Sequence, residues 1–498
     1  MFPSGRYERF YPSSSVVFGV MFCGLLTLNA GVLTNPPYWD DVLGLHYQAL
    51  WLGRNHFNLL QLWFHDGTLW EGGARIHPLG VMSHLYAAGY LLLSPRTVHI
   101  LGHLFNMACL AGAAAMFMAA VRRYADWTTA ALFCLLALTE PIMLGVSAGL
   151  GQEAQMTLLT MVSLFFFLRG RYRWALIWAG VMFFIKATAV LLLLAYTVFW
   201  AYIVWRSWRR GDGKWRQRVG CLMMSGGMVL ILMLLMRLLP DGTMLIVIGA
   251  GPLALLSRMA VHIVMFYPFI FFKLGLAAGA MFWWWRRGRN RGRLVLSLFP
   301  LIFIVGFYTS CFMHLVPIAR YSAFILLPLS CLLLFHFRSR RLRWTIFPLL
   351  MVLQLACMNG RWYLSLPAET GRTGADLERS REYLADIVSN RRLCRFLEAD
   401  CFDSPIVAKW PLVQMLRLPE MGYVTRPLPR VYCVGMLPKM VGALSAADGI
   451  PDPERAVLVY VPHCYRFMPD LHPAPGDRVL FRDTSLPGTV TAYRKNFR

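Results

Sequence analysis

Residues 14–41 read "SSVVFGVMFCGLLTLNAGVLTNPPYWDD". The first part is an uncharged apolar run of about twenty residues, the length that crosses a bilayer as a helix. No small-residue cleavage site follows it, so it reads as a retained membrane helix and not as a removed leader. Pro36 and Pro37 end the run, because proline lacks the amide donor that a continuing helix needs. Two adjacent acids, Asp40 and Asp41, come directly after.

The composition extends the membrane reading to the whole chain. Hydrophobic residues make up 57% of its 498 residues and charged residues only 15%, with a mean hydropathy of +0.51. That balance lies outside the soluble globular range and predicts a polytopic α-helical membrane protein. The net charge of +24 invites a nucleic-acid partner, but its distribution argues against one. Of the 30 Lys and Arg before residue 359, 22 fall in six short clusters between apolar runs. These are Arg6/Arg9, Arg122/Arg123, "RGRYR" at 169–173, "RSWRRGDGKWRQR" at 206–218, "RRGRNRGR" at 286–293 and "RSRRLR" at 338–343. Short basic loops of this kind mark the cytoplasmic side.

If all six clusters lie inside, an even number of crossings separates each neighbouring pair. Residues 174–205 then form a hairpin with Lys186 at its outer turn. Residues 35–96, 140–153, 240–258 and 312–320 fall outside. The count is about 11 transmembrane helices, with the N-terminus cytoplasmic and the C-terminus outside. Residues 78–93 are apolar enough to span, but a span there would turn Arg122 and Arg123 outward. They are expected as a helix lying in the outer interface.

Composition shifts after about residue 359, where the remaining residues hold 15 of the 25 acids. "DLERSREYLADIVSNRRLCRFLEA" has the spacing of an amphipathic helix. "SPIVAKW", "RAVLVYV", "DRVLFRD" and "GTVTAYR" read as short strands between Pro and Gly breaks. The expected division is a transmembrane catalytic domain over 1–358, with its first outer loop at about 35–96, and a small extracytoplasmic α/β domain over 359–498. Cys394, Cys401, Cys433 and Cys464 lie in that second domain and could form two disulfides in an oxidising compartment. No cysteine or histidine spacing suggests zinc.

Only ten acids precede residue 359, and the parity argument places seven outside: Asp40, Asp41, Asp66, Glu71, Glu140, Glu153 and Asp241. Acids beside a bilayer are costly unless solvated, paired or functional. Asp40 could cap a helix starting at Val42, with Asp41 favoured by the dipole of its first turn. The functional reading is a general base beside cations that hold a leaving phosphate. The outer-side cations are Arg54, Arg75, Lys186, Arg237, Arg258 and Arg320, with His77 beside Arg75. His46 could pair with Asp40 at a metal, though a lone histidine is weak evidence for one. "FWWWRRGR" at 282–289 reads as an aromatic belt beside a cytoplasmic anchor. "GLAAGA" at 275–280 reads as close helix packing. Lys273 lies inside an apolar span, where the sequence offers it no partner.

"YWDD" after the first span resembles the acidic motif of GT-C membrane glycosyltransferases, in the protein-mannosyltransferase-like and aminoarabinose-transferase-like branch. "RIHPLGVMSHLY", "GQEAQMTLL", "GVMFFIKATAVLLLL" and "HLVPIARYSAFILLPL" resemble further family segments in the expected order, over roughly residues 10–340. Relatives often carry Asp-Glu where Asp40-Asp41 stand, and many carry Lys where His77 stands. The resemblance implies a GT-C-like fold and inverting transfer of a sugar from a polyprenyl-phosphate donor to a hydroxyl of a lipid, glycan or protein. It implies Asp40 as the base, with Asp41 orienting it. Arg75, His77, Lys186 and Arg320 become candidates for the donor phosphate, and Glu153, Tyr321 and His314 for substrate. No cofactor is required, although a divalent metal fits the chemistry. The expected partners are the lipid-linked sugar, its acceptor and membrane lipids, with no nucleic acid. The expected place is the inner membrane, with a periplasmic active site. Two other classes compete: a flippase for a lipid-linked glycan, which should place ionisable groups at mid-membrane, and a glycan ligase or polymerase of another fold.

Overall fold

The computed structural model describes residues 11–38, 41–58, 80–213, 215–238, 268–286, 291–313, 319–337, 340–358, 380–409, 411–434, 455–461, 475–484 and 490–494. Its helices, in chain order, begin with α1 (Ser14–Asn29), α2 (Gln48–Arg54, led by a π turn at Val42–Tyr47), α3 (Val81–Leu92), α4 (Pro95–Val121) and α5 (Trp127–Leu138). There follow α6 (Pro141–Ala148), α7 (Glu153–Leu168), α8 (Tyr172–Phe183), α9 (Val190–Arg209) and α10 (Trp215–Leu238). The membrane part closes with α11 (Pro268–Arg286), α12 (Arg291–Met313), α13 (Leu326–His336, led by a 3-10 segment at Ala319–Ile325) and α14 (Arg340–Ala356).

The chain is a multi-pass membrane protein. Among the described residues four helices are long and apolar enough to cross a bilayer: Ser14–Val32, Pro95–Val121, Val190–Arg209 and Trp215–Leu234. The bent pair α5–α6 adds a fifth, and shorter apolar helices pack around them. The expected eleven spans draw on residues 239–267, which lie outside the described residues. Helix α4 starts cleanly because Ser94 accepts from the Thr97 amide and Pro95 takes the first turn. Small buried residues along it, among them Ala111, Ala113 and Ala114, let α1 and α7 pack closely against it. Helix α3 covers the segment expected at the interface. Its 12 residues reach about 18 Å, short of the ~30 Å hydrocarbon core, and it packs along α2.

Helices α5 and α6 meet at 70°. Pro141 at the start of α6 prevents one continuous helix, and Glu140 stands at the break. The Glu140 carboxylate takes Lys273 Nζ at 2.5 Å and also accepts from the Gln354 amide. Lys273 donates a second bond to the Leu136 carbonyl at 3.1 Å. Both charges are 1% exposed. This supplies the partner for Lys273 that the sequence could not.

The C-terminal part holds α15 (Tyr383–Asp400), α16 (Leu412–Arg417) and a five-stranded sheet. Its strands are β1 (Ile406–Lys409), β2 (Val431–Val434), β3 (Val457–Tyr460), β4 (Arg478–Asp483) and β5 (Val490–Arg494). Their order is β2-β1-β3-β5-β4. β1 runs parallel to β2 and β3, and β5 is antiparallel to β3 and β4. Four strands match sequence expectations; β2, "VYCV", was not expected. Asp483 Oδ2 on β4 accepts from Ser389 on α15 at 2.9 Å, fastening helix to sheet. Cys394 and Cys401 are free thiols and both buried, so neither takes part in the disulfides the sequence allows.

The start of the segment that follows α1 lies between the two parts. Tyr38 Oη donates to Asp386 at 3.0 Å, Tyr423 Oη to the Pro37 carbonyl at 3.0 Å, and Arg391 to the Thr34 carbonyl at 3.1 Å. Arg54 pairs with Glu420 at 2.9 Å. Tyr38, Val42 and Leu50 belong to the apolar core of the C-terminal part, with Ile387, Leu397 and Leu416.

The buried Glu140–Lys273 pair yields a test. Glu140→Gln or Lys273→Met alone leaves an unpaired buried charge and should cost about 3–5 kcal/mol, whereas the double variant should cost less than either. Thermal unfolding of the four proteins in detergent reads the coupling; additive losses would refute it.

Candidate active site

Four segments distant in sequence meet at one end of the membrane bundle. Residue 41 enters on the extended "NPPY" segment, and Glu153 begins α7. Lys186 sits in the turn between α8 and α9, and Arg320 lies in the 3-10 segment leading α13. Arg320 Nη1 is 3.1 Å from Asp41 Oδ1, and its Nε is 3.7 Å from Glu153 Oε1. Lys186 Nζ donates to the same Glu153 oxygen at 2.6 Å. It also lies 3.5 Å above the Tyr321 ring, where the π face favours a cation. Asp41, Glu153 and Lys186 are each less than a tenth exposed. Two acids and two cations therefore balance inside a low-dielectric site, where each would be costly alone.

Asp41 occupies the cap position of the Val42–Tyr47 turn but makes no side-chain capping bond. Its carboxylate turns to Arg320, and the cap expected of Asp40 lies outside the described residues. The structure thus joins five expected site residues: Asp41, Glu153, Lys186, Arg320 and Tyr321. Asp40, Arg75, His77 and His314 lie outside the described residues. Arg54 does not join the cluster; its charge goes to Glu420.

Sequence reasoning missed the residues that hold the cluster in place. Asn106 on α4 donates to the carbonyls of Gly149 and Gly151, both at 3.0 Å, fixing the turn into α7. A Cβ on Gly151 would overlap Glu153 Oε2 and lie 3.0 Å from Asp41 Oδ1, so the two acids approach across a missing side chain. The pair of glycines in "GLGQE" was the available signal. Beside them runs a cleft lined by Pro36, Tyr38, His103, Val146, Tyr383 and Ile387. His103 Nε2 is 3.1 Å from the Asn35 carbonyl, which can only accept, so this nitrogen carries the proton. Tyr383 reaches over from α15 to donate to the Gly145 carbonyl at 2.9 Å. The C-terminal part therefore forms one wall of the cleft.

His46 serves in a hydrogen-bonded chain, and the Asp40 it was expected to pair with lies outside the described residues. Its Nδ1 is 2.6 Å from Tyr90 Oη, which is 3.0 Å from His99 Nε2. Burial pushes its imidazole well below the usual value, so it is neutral at pH 7. Among the described residues no three His, Cys, Asp or Glu side chains are grouped to hold a metal ion.

No protein-family model and no curated protein sequence matches the chain. Two crystal structures of ArnT from Cupriavidus metallidurans do match in fold. The form bound to undecaprenyl phosphate superposes with a TM-score of 0.54 at 15% identity, covering 97% of this chain and 98% of that one. The apo form gives 0.50 at 16% identity, with the same coverage. The chain has the polytopic fold of ArnT.

The crowding at Gly151 is testable. Gly151→Ala must displace Glu153 or Asp41 and should destabilise the protein by about 1–3 kcal/mol. Gly275→Ala, with nothing within 4 Å of the added carbon, should leave unfolding unchanged or slightly raised. Equal unfolding temperatures for the two variants would refute the close approach.

Proposed function

We propose that the protein is an integral membrane glycosyltransferase that moves a sugar from a polyprenyl-phosphate donor to an acceptor hydroxyl. The observation that carries this reading is the buried cluster of Asp41, Glu153, Lys186 and Arg320 in a fold shared with a protein crystallised with undecaprenyl phosphate. The site opens at the outer face of the inner membrane in this reading, with the N-terminus in the cytoplasm.

The chemistry follows from charge. Asp40, next to the anchored Asp41, takes the proton of the acceptor hydroxyl. The resulting oxygen attacks the anomeric carbon, and the bond from that carbon to the phosphate oxygen breaks. Polyprenyl phosphate leaves with the bonding electron pair, and Arg320 and Lys186, with Arg75 and His77, offset its growing charge. One displacement at carbon, with no second carboxylate acting as nucleophile, inverts the anomeric centre; retention would need that nucleophile. The Arg320–Asp41 contact links the two ends of the reaction, since the cation that meets the phosphate also holds the residue beside the base. Glu153 holds Lys186 in place, and Tyr321, under the ammonium, faces substrate with His314. The acceptor is the hydroxyl of a lipid, glycan or protein reaching the cleft from the aqueous side.

A transporter reading has less support. The ionisable cluster sits at the end of the bundle, and the charge on Lys273 within an apolar helix is already neutralised by Glu140.

Asp40→Asn keeps the shape of the base and removes its proton affinity. It should lower sugar transfer from a polyprenyl-phosphate donor by about 10²–10⁴-fold, with expression and membrane insertion unchanged. Transfer by the purified variant at a near wild-type rate would exclude Asp40 as the base.

A further inference from the structure

We propose that the end of the membrane domain remote from the cleft binds the phosphate headgroup of an anionic phospholipid. Helix α9 begins four residues after Lys186 and runs for 20 residues, about 30 Å. Its last two turns therefore lie at the bilayer surface opposite the cleft. There Tyr202, Trp205, Arg206 and Arg209 recur at the spacing of one helix face. With Arg210 they line an open cavity of about 340 Å³.

The cavity is built for an anion. Arg209 stacks on Trp205, its Cζ 4.5 Å from the ring centre, and Arg206 Nη1 lies 3.5 Å from Tyr202 Oη. The aromatic side chains hold the guanidinium groups without neutralising them. Asp212 is the only acid between Glu153 and Asp241, and it pairs with Arg218 at 3.1 Å. The end of α9 is closed on itself. Gly211, at φ +66°, donates to the Trp208 carbonyl and Asp212 to that of Ser207, so these carbonyls do not compete for the arginines. Among the described residues Arg206, Arg209 and Arg210 have no carboxylate partner. A phosphate accepting from several guanidinium groups relieves their mutual repulsion.

The surface below the cavity selects a lipid over a soluble phosphate. Leu194 and Val198, 46% and 47% exposed, continue the same face toward the membrane interior. Trp205 and Trp208, 47% and 64% exposed, mark the headgroup level where aromatic residues collect. A headgroup in the cavity thus has its acyl chain along an uncovered apolar stripe.

The test uses the full-length protein reconstituted in vesicles of equal parts phosphatidylcholine and phosphatidylglycerol. Native mass spectrometry of the released protein should find phosphatidylglycerol retained about tenfold over phosphatidylcholine. Arg206→Gln/Arg209→Gln should abolish the preference without changing the unfolding temperature, while Arg171→Gln/Arg173→Gln should leave it intact. Equal retention of the two lipids by the unaltered protein would overturn the proposal, as would a preference surviving in Arg206→Gln/Arg209→Gln. Displacement of the lipid by glycerol 1-phosphate alone would also overturn it, by marking a site for soluble phosphate.

Discussion

Arg320 is the side chain on which the site depends. Its guanidinium reaches Asp41 from the segment after α1 and Glu153 at the head of α7, and Glu153 in turn holds Lys186. Four segments far apart in the chain are held by charges that could not be buried singly. The cluster is both an element of the fold and the centre of the proposed site. Any anion arriving there must share cations that already carry structural carboxylates.

A second constraint acts on the backbone before residue 41. Two prolines stiffen the chain just past the first span, and the C-terminal part grips it through Tyr423, Arg391 and Asp386. The acidic pair is thus delivered from a segment held on two sides. This gives the C-terminal part a physical task, since its Tyr383 and Ile387 also complete the cleft. Without it, the "NPPY" segment would lose a face of its packing and Asp41 part of its support.

Much of this organisation was legible in the chain. Apolar run lengths announced the membrane class, and the short basic loops gave a topology in which residues 41, 153, 186 and 320 share a side. The turn at Lys186 followed from the parity of the basic clusters, with 174–205 long enough for two short helices, and four of the five strands followed from alternation between breakers. Other features were not legible. Lys273 looked like an unexplained charge in a span because Glu140 and Gln354 are distant in sequence. The ion pair of Asp41 with Arg320 was hidden for the same reason, since the two lie far apart in the chain. β2, "VYCV" at 431–434, was also missed.

The sequence by itself determined the solvent of each segment, because hydropathy and charge are properties of residues summed over short windows. It also supplied the inventory of reactive groups. Tertiary structure decided which of those groups meet. Arg320 took Asp41 while Arg54, equally eligible by sequence, went to Glu420. Pairing of that kind depends on distances of a few ångströms between segments far apart in the chain, and no local pattern encodes them.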